Sequence, residues 1–324
     1  MQTTRRGVLA AAAMLPLARP ALAQEVFPSR PLRMIVPFAP GGPLDIFGRP
    51  VAERLGELLG QPVVFESRPG ANGIIGAQAV ATARPDGYTL LLTTGSLIGN
   101  MAFSPRPLPY DTMKDLAPVT LVGDGTGMML VGNTRLPGTM AELVALAKQR
   151  REGLSCAMTG IGNITHLAIE QFKEFTGAEL LQVTMQGTGP SLTAILAGSI
   201  DLTFSTIPPA APFVRDNRLR AFGYTGRRRP MILPDVPTMK DLGYPEWELI
   251  GMLGLWTTGG TPMDRIVKVQ QAIHAVVRQP AIERIFNDGE FYGSGMPPDE
   301  FAAYLQKELA MQLGIARRVG LSAN

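Results

Sequence analysis

Leu32-Arg33-Met34-Ile35-Val36 leads directly into Pro37-Phe38-Ala39-Pro40-Gly41-Gly42 and then into Pro43-Leu44-Asp45. A short, mostly apolar run stops at two prolines and two glycines. Pro43 then stands where a helix tolerates proline, in its first turn. The reading is strand, loop and amphipathic helix, with the helix over 43–59. Working outward, residues 62–66 read as a second strand, and 68–73 turn into a helix over 74–83. Pro85-Asp86-Gly87 turns into a third strand over 88–93. The order β-α-β-α-β implies a parallel sheet with helices on its faces. The apolar runs 119–122 and 128–131 flank Gly123-Asp124-Gly125-Thr126-Gly127 and read as long strands leaving this first unit. A second alternation follows: helix 139–151, strand 153–157, helix 164–175, strand 180–184, helix 190–197, strand 199–204, helix 209–216 and strand 219–224. The apolar run 249–257 then crosses back, and helices over 262–278, 280–287 and 298–317 close the chain. The expected fold class is α/β with two lobes, each a mainly parallel sheet flanked by helices. The expected division is 1–23 as a leader, 24–125 plus 250–324 as the first lobe, and 126–249 as the second. Ligands of such sheets lie at the carboxyl ends of the strands, facing helix N-termini, so the cleft between the lobes is the expected pocket.

Composition agrees with a folded two-domain chain. The 324 residues are 45% hydrophobic and 18% charged, with mean hydropathy +0.12. That excludes disordered, collagen-like and disulfide-scaffold classes. Residues 1–23 read as an export signal: Arg5-Arg6, an apolar run over 7–17, and Ala21-Leu22-Ala23 as a cleavage site. Cleavage after Ala23 leaves an exported chain starting at Gln24. The arginine pair fits either a general secretory or a twin-arginine route. The leader holds three arginines and no acid, so the 30 basic and 27 acidic residues balance once it is removed. No basic face for nucleic acid is implied, and Arg227-Arg228-Arg229 reads as a solvated loop. No later run is long and apolar enough to span a bilayer. The single cysteine, Cys156, excludes an internal disulfide and a cysteine-rich metal site.

Three glycine-rich strand-to-helix loops carry the chemistry: 37–45, 159–166 and 185–191. A helix N-terminus presents unpaired N–H groups and about half a positive charge, so it holds an anion without lysine or arginine. Asp45 is the one acid in these loops, and no lysine or arginine occurs in them. Asp45 either accepts a bond from a ligand or favours its own helix start. His166 either makes a structural hydrogen bond or touches ligand. The segment Gly160-Ile161-Gly162-Asn163 lacks the third glycine of a dinucleotide site. No G-x-x-x-x-G-K-[ST], G-x-S-x-G or H-E-x-x-H pattern occurs, and no cofactor or metal is expected.

These segments also resemble a known family. Residues 30–45, Gln61-Pro62-Val63-Val64 with Arg68-Pro69-Gly70-Ala71, Pro85-Asp86-Gly87-Tyr88-Thr89-Leu90-Leu91 and Leu108-Pro109-Tyr110-Asp111 match its order. So do Phe222-Gly223, Leu233-Pro234-Asp235-Val236-Pro237-Thr238 and Gly259-Gly260-Thr261-Pro262. The chain resembles the Bug-type substrate-binding proteins of tripartite tricarboxylate transporters. The resemblance implies a periplasmic, type II Venus-flytrap binding protein, monomeric, that delivers a small carboxylate to a permease of one large and one small membrane subunit. It carries ligand contact over to Phe38, Ala39, Pro40, Gly41, Gly42 and Asp45 in the first loop. In the other loops it implies Gly95 and Ser96; Thr159, Gly160, Gly162, Asn163 and His166, with Thr165; Gln186 and Gly187; and Ser205. Two departures bear on the ligand. Met185-Gln186-Gly187 stands where the family often has Tyr-Lys-Gly, and Leu97-Ile98 where it often has Thr-His. An apolar lining at 97–98 implies a monocarboxylate or aromatic acid, and a di- or tricarboxylate is the alternative. Two rival functions remain: a ligand-presenting sensor component, and an exported hydrolase using Ser96 or Ser191 beside His166.

Overall fold

The computed structural model describes residues 26–104 and 106–318; the leader lies outside them. The first unit runs β1 (Leu32–Val36), α1 (Pro43–Leu59), β2 (Val63–Ser67), α2 (Ile74–Ala81), β3 (Thr89–Thr94), α3 (Ser96–Phe103) and β4 (Leu116–Gly127). The second runs β5 (Met129–Asn133), α4 (Met140–Gln149), β6 (Leu154–Met158), α5 (Ile164–Thr176), β7 (Leu180–Thr184), α6 (Thr188–Ala197), β8 (Leu202–Ser205), α7 (Ile207–Arg215) and β9 (Leu219–Tyr224). The chain returns through β10 (Ile250–Thr258), α8 (Met263–Val276), α9 (Pro280–Asp288), β11 (Tyr292–Gly293) and α10 (Pro298–Arg318).

Two sheets result. One has the order β11-β4-β10-β3-β1-β2, the other β7-β6-β8-β5-β9. Both are mixed, which corrects the expectation of mainly parallel sheets. β1 pairs parallel with β2 and β3, but β10 runs antiparallel between β3 and β4. In the second sheet β6 is parallel to β7 and β8, and β5 is antiparallel to β8 and β9. The reason is the connection. A strand that enters from the other lobe needs no crossover helix and can lie antiparallel to its neighbours. Met128 alone separates β4 of one sheet from β5 of the other.

Helix α1 shows why these elements form where they do. Leu44, Phe47, Val51 and Leu55 are buried at three- and four-residue spacing, and Gly60 ends the helix in a left-handed conformation at φ 69°. Its buried face reaches Phe47, which stacks on Phe291 at 4.9 Å and meets Phe286 edge-on at 5.6 Å. Helix α3 was not expected. Seven of its eight residues are buried, so it shows no polar face and no 3.6-residue period. Leu97 and Ile98 belong to the core of the first lobe with Trp256 and Phe301. They lie outside the cleft lining, which corrects their expected role. No helix among the described residues is long and apolar enough to cross a membrane.

Candidate functional site

A cleft of about 100 Å³ lies between the two sheets. Its lining takes the start of α1 (Gly42, Pro43, Leu44), the turn before α3 (Thr94, Gly95), the start of α5 (Gly162, Asn163, Ile164, Thr165), the start of α6 (Gly187, Thr188) and Thr206 before α7. Five helix N-termini from both lobes thus converge on one space. Gly42, Gly95, Gly187 and Thr206 cap their helices without a side-chain hydrogen bond of their own, although the Ser96 N–H at the start of α3 donates to Thr94 Oγ1 at 3.3 Å and Pro43, Pro208 and Pro209 supply no N–H. The floor and walls are apolar: Phe38, Phe47, Met128, Leu249, Met252, Leu253 and Phe291. β10 carries register shifts at Gly251/Met252 and Leu253/Gly254, and bulges of this kind re-aim side chains beside a site. Among the described residues no lysine, arginine or histidine lines the cleft, and Glu308 is the one ionisable side chain of the lining.

Of the residues expected from sequence, Phe38, Ala39, Gly42, Gly95, Thr159, Gly162, Asn163, Gly187 and Thr165 lie on this lining. The rest do not, and each has a local reason. Asp45 accepts from Arg49 at 2.6 Å and from the Gly41 N–H at 3.3 Å, so it holds its own helix start. His166 is buried; its Nδ1 accepts from the Gly162 N–H at 3.2 Å, and Nε2 lies 3.6 Å from Glu170. Burial holds this imidazole below the usual histidine range, with Glu170 opposing. It is a neutral prop under the 160–163 loop. Ser96 is buried and accepts from Thr94 Oγ1 at 3.1 Å. The Gln186 side chain is exposed, and only its carbonyl is used. Pro40 lies on a separate outer groove with Met185 and Pro190. Ser205 donates to the Thr206 carbonyl at 2.8 Å, and Thr206 lines the cleft in its place.

Gly41 and Gly160 face the other lobe instead. A Cβ on Gly160, whose φ is +139°, would stand 2.6 Å from Asn72 Cβ; one on Gly41 would be 3.6 Å from Gly189 Cα. The lobes touch directly. Ala39 N–H donates to the Gln186 carbonyl at 3.1 Å, and Asn72 Nδ2 donates to the Ile161 carbonyl at 2.9 Å. Asn163 Nδ2 donates to Asn72 Oδ1 at 3.2 Å. Several glycines of these loops therefore serve contact between lobes. Sequence reading missed Asn72, Thr206, Glu308 and Gln312. The last two had a signal: Phe301, Leu305, Glu308 and Gln312 continue one helical stripe, so two polar residues stand on an apolar face.

Ser96 and Ser191 are both engaged elsewhere, Ser191 donating to the Gly187 carbonyl at 2.9 Å, and both His166 nitrogens face other groups. Among the described residues no cluster could hold a metal ion.

The model of the tripartite tricarboxylate transporter family receptor matches residues 47–321. The chain belongs to that family. The family's receptors are binding proteins, and the chain is not an enzyme. BugT of Bordetella pertussis is 33% identical over 298 residues, covering 91% of each chain. MatC from Rhodopseudomonas palustris with bound malate is 28% identical with a TM-score of 0.83, covering 89% of this chain and 99% of that one. An R. palustris protein with adipate is 26% identical with a TM-score of 0.86, covering 91% and 99%.

Proposed function

We propose that this receptor captures a small carboxylate outside the cytoplasm by closing its lobes over it, and hands it to a membrane permease. The observation that carries this reading is the convergence of five helix N-termini on a cleft with no basic side chain among the described residues. Such ends bind anions through N–H groups and dipoles. The malate and adipate bound by similar proteins support a carboxylate cargo. The leader over 1–23 supports export to the periplasm. The lobes are taken as 24–125 plus 250–324 and 126–249, hinged at Met128 and at the segment entering β10. A ligand that touches both lobes favours the closed form by its differential contacts.

The test is a thermal-shift and calorimetric screen of the mature protein with malate, adipate, benzoate and neutral isosteric amides. A carboxylate present at 100 times its dissociation constant adds about 2.7 kcal/mol. That raises Tm by a few degrees, whereas the amides leave it unchanged. Equal shifts with acids and amides refute the reading.

A further inference from the structure

His166 is the third residue of α5, in the second lobe, yet the first lobe covers its ring. Phe103 of α3 meets the imidazole edge-on, with ring centroids 5.9 Å apart and planes at 89°. Phe103 and Ala102 form one buried cluster with Leu167 of α5 and Ala316 of α10. So enclosed, His166 is 1% exposed. The 160–163 loop beside it presses on the same helix α3. A Cβ on Gly162 would stand 2.7 Å from the Gly99 carbonyl oxygen and 3.1 Å from Phe103 Cβ.

The hydrogen bonding fixes the protonation of the ring. The Gly162 N–H donates to Nδ1 at 3.2 Å, so Nδ1 carries no proton. A proton there would set two donors against each other at the base of the loop. Nε2 lies 3.6 Å from the Glu170 carboxylate. That carboxylate is shared with Lys173 at 3.4 Å and with the Gln182 amide at 2.6 Å, and Lys173 also meets Glu179 at 3.3 Å. Burial disfavours the charged ring, Glu170 opposes that, and Lys173 adds to it. The surrounding elements bring no further charge. α3 and β8 carry no titratable side chain, and β6 carries only the buried Cys156 thiol. On α10 the neighbouring Leu313, Ile315 and Ala316 are apolar, and Arg317 is exposed.

We propose that His166 is a proton-operated release for the closed lobes: neutral, it accepts from Gly162 and holds the 160–163 loop against α3; protonated, it expels that N–H and the lobes part. This rests on the closure reading above and adds how pH controls it. Opening lifts Phe103 and Ala316 off the ring and lets water reach the imidazolium, so the open form takes the proton more readily than the closed form. An open-form ring titrates near the ordinary histidine value of about 6.5. Affinity is therefore level above about pH 6.5 and falls below it, by up to about tenfold at pH 5.5.

The test is calorimetry of the mature protein at pH 7.5, 6.5 and 5.5 with whichever of malate, adipate and benzoate gives the largest melting shift. Wild type and His166→Gln are titrated at each pH, and the ligand's own protonation cancels in their ratio. Glutamine can still accept from Gly162 but takes up no proton in this range. Wild-type affinity falls relative to that of His166→Gln by about three- to tenfold between pH 7.5 and 5.5. The ratio of wild type to His274→Gln, altered on α8, stays constant. Ligand-free melting confirms the fold of His166→Gln. Should it not fold, Phe103→Ala, which uncovers the ring, flattens the profile against wild type instead. A ratio of wild type to His166→Gln that does not change with pH overturns the release and leaves the carboxylate reading standing. If none of the three acids binds, that reading fails, and small-angle scattering of the ligand-free protein decides on the release alone. A larger radius of gyration at pH 5.5 than at 7.5 in wild type, lost in His166→Gln, supports it; equal radii in wild type overturn it.

Discussion

Gly99 separates lobe closure from lobe stability. It lies inside α3, where its conformation is helical and alanine is the better helix former by about 1 kcal/mol. Within its own lobe a new methyl meets Gln312 Oε1 at 3.3 Å, which a side chain accommodates by a small shift. Across the cleft it would stand 1.9 Å from the Gly162 carbonyl oxygen. A relaxed carbon–oxygen contact is about 3.3 Å, so closure is held about 1.4 Å short. Overpacking on this scale costs about 1–3 kcal/mol, and here it falls on the closed form alone. Gly99→Ala should therefore weaken carboxylate binding about 5- to 150-fold while the ligand-free Tm holds or rises. Calorimetry measures the first effect and thermal melting the second. Small-angle scattering with saturating ligand should show a larger radius of gyration than wild type. Wild-type affinity in Gly99→Ala would refute closure onto the 160–163 loop as the binding event.

Asn72→Gly keeps the left-handed backbone at φ 52° and removes the amide that reaches Ile161 and Asn163. Two lost inter-lobe bonds of about 1 kcal/mol each should weaken ligand affinity about 5- to 30-fold by calorimetry, and ligand-free Tm should fall as well, because the same amide donates to the buried Asn100 Oδ1 at 2.8 Å within its own lobe. Arg228→Ala leaves the Glu290 carboxylate, 4% exposed and 2.7 Å from the guanidinium, with only Met231 N–H and the Tyr292 hydroxyl. Denaturant unfolding should show a loss of about 1–3 kcal/mol, discounted because Arg228 itself is 59% exposed. His166 is held below its unfolded value, so its neutral form belongs to the fold. The unfolded chain takes up a proton first as pH falls below about 6.5, and stability drops there. The midpoint of urea unfolding should decline less between pH 7 and 5 in His166→Gln than in wild type. Cys156 is fully buried and its thiol is pushed far up, so a disulfide reagent should label it only after denaturation.

Much of the local chain was legible without coordinates. The strand at 32–36 and the helix at 43–59 stand where the apolar spacing and Pro43 place them. The second alternation holds element by element, with ends displaced by a few residues. Helix α3 escaped because a helix buried on every side carries no period. The candidate site was legible at its loops and illegible in its side chains. Asp45 and His166 look like ligand groups by type, yet each is consumed by a backbone N–H of its own loop. Nothing within four residues of Glu308 says that it lines the same cleft as the starts of α1 and α6.

Sequence alone set the alternation of strands and helices and the uncapped glycine starts, because those follow from spacings of two and 3.6 residues and from backbone freedom at single positions. Only the tertiary structure decided which starts share a cleft, that Asn72 reaches Asn163 across 91 positions, and that an acid of the last helix lines the same space. Such contacts join residues far apart in the chain, and their geometry is fixed by how the two sheets pack and how the crossing strands bring the lobes together.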